Sequence, residues 1–169
     1  MNLFTHSGIP DSWYIGISNR VRLSRENMSS SSQTVVIEVA CGYILAGFSF
    51  ESEPRLRMDS IVCEMCESKV EQDVVYLQVL KELSALFGKH LIVKPKDWRV
   101  LVVEPLLCPN ILRDSVVTAL LSVFHVQSVA IQPNLYMPIL CTPMETGLIL
   151  HIGEKESIAV AIFDNRPVI

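Results

Sequence analysis

The stretch VVIEVACGYILAGF, Val35–Phe48, sets two runs of β-formers on either side of Cys41-Gly42. Val, Ile, Tyr and Phe favour a pleated chain, and glycine in a two-residue connection supplies the positive φ of a tight reversal. The pattern predicts a β-hairpin, with VVIEVA as one arm and YILAGFSF as the other.

Beyond the hairpin, residues 52–67 carry no sustained period, and the next clear signal is a helix. Ser68 and Glu71 have capping-box spacing, Tyr76, Leu80, Leu83 and Phe87 recur at helical intervals, and Gly88 ends the run, so a helix is expected over about 69–87. RVLVVEP, Arg99–Pro105, reads as a strand buried on both faces. Pro109 suits a first helical turn, and Ile111, Leu112, Ser115, Val116, Ala119, Leu120 and Val123 then form one helix face through Phe124. SVAIQ, Ser128–Gln132, is a further strand, and a proline-kinked helical piece around 133–140 leads to a second hairpin. Its arms are GLILHIG and SIAVAIFD, turning at Glu154-Lys155-Glu156. Alternating strands and helices in this order give an α/β fold. Upstream, residues 1–34 are rich in serine, with Arg20, Arg22 and Arg25 and no periodicity, and are expected to be a disordered lead.

The chain has 169 residues, 50 % apolar and only 19 % charged, so it can bury one substantial core, or one core and part of a second. With a net charge of −4 and basic residues scattered in sequence, no nucleic-acid footprint is evident. Five cysteines without a regular framework read as reduced thiols of a cytoplasmic protein. The apolar run Val116–Val126 is interrupted by Thr118, Ser122 and His125 and is too short to span a bilayer. Cys63 and Cys66 form a lone CxxC that lacks two further zinc ligands, so no metal is assigned to it. His90 and His125 stand at helix ends, where capping is the simplest role, and Trp98 is expected to pack over the sheet edge.

The two hairpins superpose in sequence without a gap at a constant spacing of 113 residues: Glu38 meets His151, Ala46 meets Ala159, Phe50 meets Phe163 and Pro54 meets Pro167. This is the mark of a duplication. The segments VVIEVACGYILAGFSFESEPR, HLIVKPKDWRVLVVEPLLCPNILRD, FHVQSVAIQPNLY and TGLILHIGEKESIAVAIFDNRPVI together resemble the actin and actin-related protein family. The central block, with Leu107-Cys108-Pro109 before its helix, is most similar to the divergent branch found at the pointed end of dynactin.

That resemblance implies an actin-like, ribonuclease H-like domain over 35–134, with a mixed sheet, flanking helices and a shortened outer subdomain. Residues 135–169 would be the inter-domain helix and opening hairpin of a duplicated second domain, left incomplete. It also implies a cytoplasmic, cytoskeletal subunit, partnered by the actin-related filament and other pointed-end subunits of dynactin in microtubule-based transport. Alternatives within the family are a nucleotide-binding ATPase and a nuclear chromatin-remodeller subunit. The nucleotide-loop positions it implies are Glu38, Cys41, Gly42, Gln132, Gly153 and Glu154.

Several of the family's polar groups are replaced at matching positions. Ala40 stands for a glycine, Cys41 for a serine, Leu45 for the phosphate-binding lysine, His151 for an aspartate, Lys155 for a glycine and Ile158 for a histidine. These losses weaken phosphate and metal electrostatics together, so neither catalysis nor a resident cofactor is expected, ATP and Mg²⁺ being reserved for a full-length relative.

Overall fold

The computed structural model describes residues 33–68, 70–140, 142–152, 157–164 and 166–168. The expected lead lies outside them as far as Ser32, as does the turn Gly153–Glu156 of the second hairpin. Two compact units are present, one ending at Gln132 and the other starting at Pro133.

In the first unit, β1 (Thr34–Ala40) and β2 (Tyr43–Phe48) form the expected antiparallel hairpin, with Val35 opposite Phe48 and Ala40 opposite Tyr43. β3 (Leu56–Asp59) pairs antiparallel with β2, and β4 (Arg99–Glu104) pairs parallel with β1, Val35 beside Val100. β5 (Ser128–Pro133) completes a five-stranded mixed sheet in the order β3-β2-β1-β4-β5. Strand pleat sends Val35, Ile37, Val39, Ala46, Phe48, Val100 and Val102 to one face, where they join a single apolar core. Val36, Glu38, Leu45 and Val103 point to the other face and are buried as well. The two-sided burial expected for the Arg99–Pro105 strand is therefore found in β4, and in β1 too.

The core face is covered by two helices, α2 (Gln72–Ala85) and α3 (Asn110–Thr118), which contribute Val75, Val79, Leu83, Leu112 and Val116 to the core. Before α2 the stretch 52–67, patternless in sequence, holds β3 and a short helix α1 (Val62–Glu67). Both are too short for a period to register: β3 turns only Leu56 and Met58 toward the core, with Arg57 and Asp59 outward.

The capping box is not formed. The Ser68 hydroxyl donates back to the Glu64 carbonyl at 2.9 Å, closing α1, and Glu71 becomes the N-cap of α2 without a side-chain bond. Gly88 does not end the helix either. The chain widens into a π turn over Leu86–Leu91, which carries Leu91 into the core at 4 % exposure. Burying a leucine outweighs the roughly 1 kcal/mol disfavour of one helical glycine.

A second π turn, Ala119–Val123, extends α3. Its wider winding bonds the Phe124 amide to the Ala119 carbonyl at 3.1 Å and sets the Phe124 ring against Phe87, centroids 5.3 Å apart. Val123, expected on the buried face, is rotated to solvent as a result.

In the second unit, a single 3₁₀ turn (Asn134–Tyr136) and α4 (Met137–Leu140) precede a three-stranded antiparallel sheet of β6 (Gly147–Ile152), β7 (Ser157–Phe163) and β8 (Arg166–Val168). Adding 113 to each pair from Val35–Phe48 to Val39–Ile44 yields the β6–β7 register: Val35–Phe48 becomes Leu148–Ala161, and Glu38–Leu45 becomes His151–Ile158. The correspondence stops at the third strand. Phe163 of β7 pairs with Arg166 of β8, only three residues on, whereas β3 follows the longer stretch 49–55. One face of this sheet, bearing Leu148, Leu150, Ile152, Phe163 and Val168, is exposed. In the first hairpin the positions matching the β6 residues are Val35, Ile37 and Val39, which lie beneath helices.

The chain leaves the first π turn through Ile92, at φ +53° and 79 % exposed. A β-branched side chain is strained in this left-handed region, and glycine is not. Ile92→Gly is expected to stabilise the protein by about 1 kcal/mol, read as a higher denaturant midpoint at unchanged slope. A lower midpoint would show that Ile92 makes a compensating contact.

Candidate functional site

The turn joining β1 to β2 is Cys41-Gly42, with φ +87° at Gly42 and Cys41 outside the positive region. A positive φ at the second turn position alone is the sign pattern of a type II turn, which glycine accommodates. No atom lies within 4 Å of where a Gly42 Cβ would stand, so φ and not space demands glycine there. The carbonyls around the turn are held by the following elements. The Ser60 amide donates to the Gly42 carbonyl at 3.0 Å, and the Cys63 thiol donates to the Ala40 carbonyl at 3.5 Å. Cys41 itself is exposed.

Two residues before Ala40 lies Glu38, on the sheet face opposite the helices and only 8 % exposed. Its cross-strand neighbours are Leu45 on β2 and Val103 on β4. The nearest cation in this row is Arg57 on β3, one strand further out, and its guanidinium lies 4.5 Å over the Tyr43 ring. Glu38 Oε2 is left buried without a hydrogen-bond partner. Burial alone pushes the carboxyl up to about 7. Tyr43 is also raised, first by its own burial and then by the charge of Glu38.

Two other buried carboxylates of this unit are handled differently. Glu82 on α2 accepts from the Ser60 hydroxyl and from Gln78 Nε2, both at 2.8 Å. Glu104, at the end of β4, takes a forked pair of bonds from Arg113 of α3, with Nε 2.9 and 3.1 Å from its two oxygens. The Cys108 thiol beside that pair is pushed up to about 12, by burial first and then by Glu104. Arg57, Glu104 and Arg113 were not among the residues that sequence singled out. A charged residue closing an apolar strand, with an arginine in the first turn of the next helix, is the signal that marks the last two.

No protein-family model matches the chain. Leu45, 1 % exposed, stands opposite Glu38 where a lysine would supply the counter-charge, and its hydrocarbon adds to the desolvation that keeps the acid near neutrality. His151 occupies the matching register position in the second hairpin, exposed and opposite Ile158.

Gln132 lies half-buried near the end of β5, two strands from β1, so the sheet order does not set it beside Glu38. Gly153 and Glu154 fall outside the described residues. Two cavities between the sheet and its helices, about 10 Å³ each and lined by residues such as Val39, Leu112 and Val116, have room for a single water at most. Among the described residues, no three side chains of metal-ligating type converge and no helix is long and apolar enough to cross a membrane. What the turn region offers is one buried acid with an unpartnered oxygen beside a braced reversal.

The raised Glu38 carboxyl sets the sign of a pH dependence. The folded state holds this proton more tightly than the unfolded state, whose carboxyl titrates near 4.5, so stability falls as pH rises from about 4.5 and levels off above about 7. Glu38→Gln removes the charge at constant shape. It should leave stability at pH 4 nearly unchanged and raise it at pH 8 by up to roughly 3 kcal/mol, at 1.36 kcal/mol per unit. Equal denaturant midpoints for the two proteins at pH 8 would show that Glu38 has a counter-ion in solution.

Proposed function

We propose that this chain is a non-catalytic, actin-like structural subunit that seats on the pointed end of the actin-related filament of dynactin, in the cytoplasm, and so takes part in dynein-driven transport along microtubules. The observation that carries this reading is the register-for-register repeat of the β1–β2 hairpin in β6–β7, 113 residues on. A duplicated strand–turn–strand unit is the actin-like arrangement, in which one hairpin from each half faces the nucleotide. Residues 35–134 then correspond to the first domain, and the β6–β7 hairpin belongs to the second.

The side chains at the repeated positions support a role in shape rather than turnover. Glu38 faces Leu45, His151 faces Ile158, and neither pair presents a cation to phosphate or a hard oxygen set to a metal. An acid that burial holds near neutrality supplies no positive charge to a polyphosphate. The working partners are accordingly proteins, the filament end and neighbouring pointed-end subunits, and not nucleic acid.

Affinity purification of the tagged full chain from cells tests the assignment. Dynactin subunits should co-purify, and recovery of chromatin-remodeller subunits in their place would overturn it. A fluorescent ATP titration separates the structural reading from an active nucleotide switch: no saturable binding is expected at micromolar ATP with Mg²⁺, and saturable, magnesium-dependent binding would favour the switch.

A further inference from the structure

In sequence the basic residues look dispersed, but three of the six lysines, Lys89, Lys94 and Lys96, fall within the eight residues Lys89–Lys96, together with His90 and without a carboxylate. All four are exposed, in a chain of net charge −4. Lys89 and His90 close the π turn, where a cation is favoured by the helix dipole, but Lys94 and Lys96 lie beyond it. Among the described residues the ion pairs are Arg55–Glu51 and Arg113–Glu104, so no lysine of this segment is spent on a carboxylate.

In the middle stands Ile92, the most exposed large apolar side chain among the described residues, in a backbone conformation that disfavours it. The fold explains a turn there but not an isoleucine. The segment is held firmly beneath this side chain. Leu91 is buried, the Val93 amide donates to the Phe87 carbonyl at 3.2 Å, and a 3₁₀ turn at Pro95–Asp97 is closed by bonds from Asp97 and Trp98. The Trp98 ring packs on Phe48 with centroids 4.7 Å apart, and Gln127 donates to the carbonyls of both Trp98 and Asp97. A preordered loop gives up little freedom on binding.

We infer that the loop Lys89–Lys96 is a docking surface for an acidic protein surface that offers Ile92 an apolar pocket. The charges of the loop supply complementarity and orientation, and the presented isoleucine supplies the buried anchor. Three lysines and one aliphatic side chain fall short of the two signals that stable membrane anchoring takes. Single-stranded nucleic acid would need exposed stacking rings along the loop, and Lys89–Lys96 contains no Phe, Tyr or Trp. The inference does not depend on the filament assignment.

The test uses the full chain carrying Asp97→p-benzoylphenylalanine, irradiated in cells, with the adducts mapped by mass spectrometry. Adducts should form to protein segments rich in Asp and Glu. Their yield should fall about tenfold both with Lys94→Glu plus Lys96→Glu and with Ile92→Gly. Because Ile92→Gly is expected to raise the denaturant midpoint, loss of adduct in that variant separates docking from unfolding. Yield no higher than from a probe at Leu77, exposed on α2, yield unaffected by the variants, or adducts to lipid or RNA would each overturn the inference.

Discussion

The fold rests on the position of β1 between an antiparallel and a parallel neighbour. Five consecutive residues, Val35–Val39, are buried, and both edges of the strand are hydrogen-bonded, to β2 and to β4. A two-residue turn can deliver β2, but a parallel β4 must be reached by a long crossover, and residues 49–98 provide it. Along that route the chain lays α2 over one face of the sheet, and α3 follows beside it. The helical layer is thus a consequence of pairing β1 on both sides, as well as a cover for its apolar residues.

The same central position makes Glu38 costly. An acid near the middle of a strand buried on both faces can be met only by its cross-strand neighbours, and these are Leu45 and Val103. Glu82 and Glu104 escape this constraint because each lies where a helix can bring a donor to it: Ser60 and Gln78 for the first, Arg113 for the second. The backbone of the β1–β2 turn is braced by Ser60 and Cys63, while Glu38 nearby is left without electrostatic support.

Elements with an unambiguous local signal were legible in the sequence. Both hairpins, β4, β5 and the bodies of α2 and α3 follow from periodicity, and the 113-residue spacing anticipated the matching registers. The misses share a cause, which is that tertiary burial decided the outcome. Leu91 and Phe124 are drawn inward by π turns that no heptad-like count reveals, displacing Gly88 as a helix end and Val123 as a core residue. Ser68 has the right spacing for a capping box, but an unforeseen α1 takes its hydroxyl. Of the candidate site, the turn glycine and the place of Glu38 on β1 were readable, while the burial of that acid was not. The absence of a counter-charge at Glu38 became clear only when β3 placed Arg57 over Tyr43.

The β6–β7–β8 sheet has a bearing on the protein's lifetime. An apolar sheet face presented to solvent is the kind of surface that folding helpers retain and quality-control proteases sample. A molecule showing Leu148, Leu150 and Ile152 would be cleared at a rate set by how often that face stands open. Its steady-state abundance would then follow the supply of whatever covers the face more closely than the rate of its own synthesis.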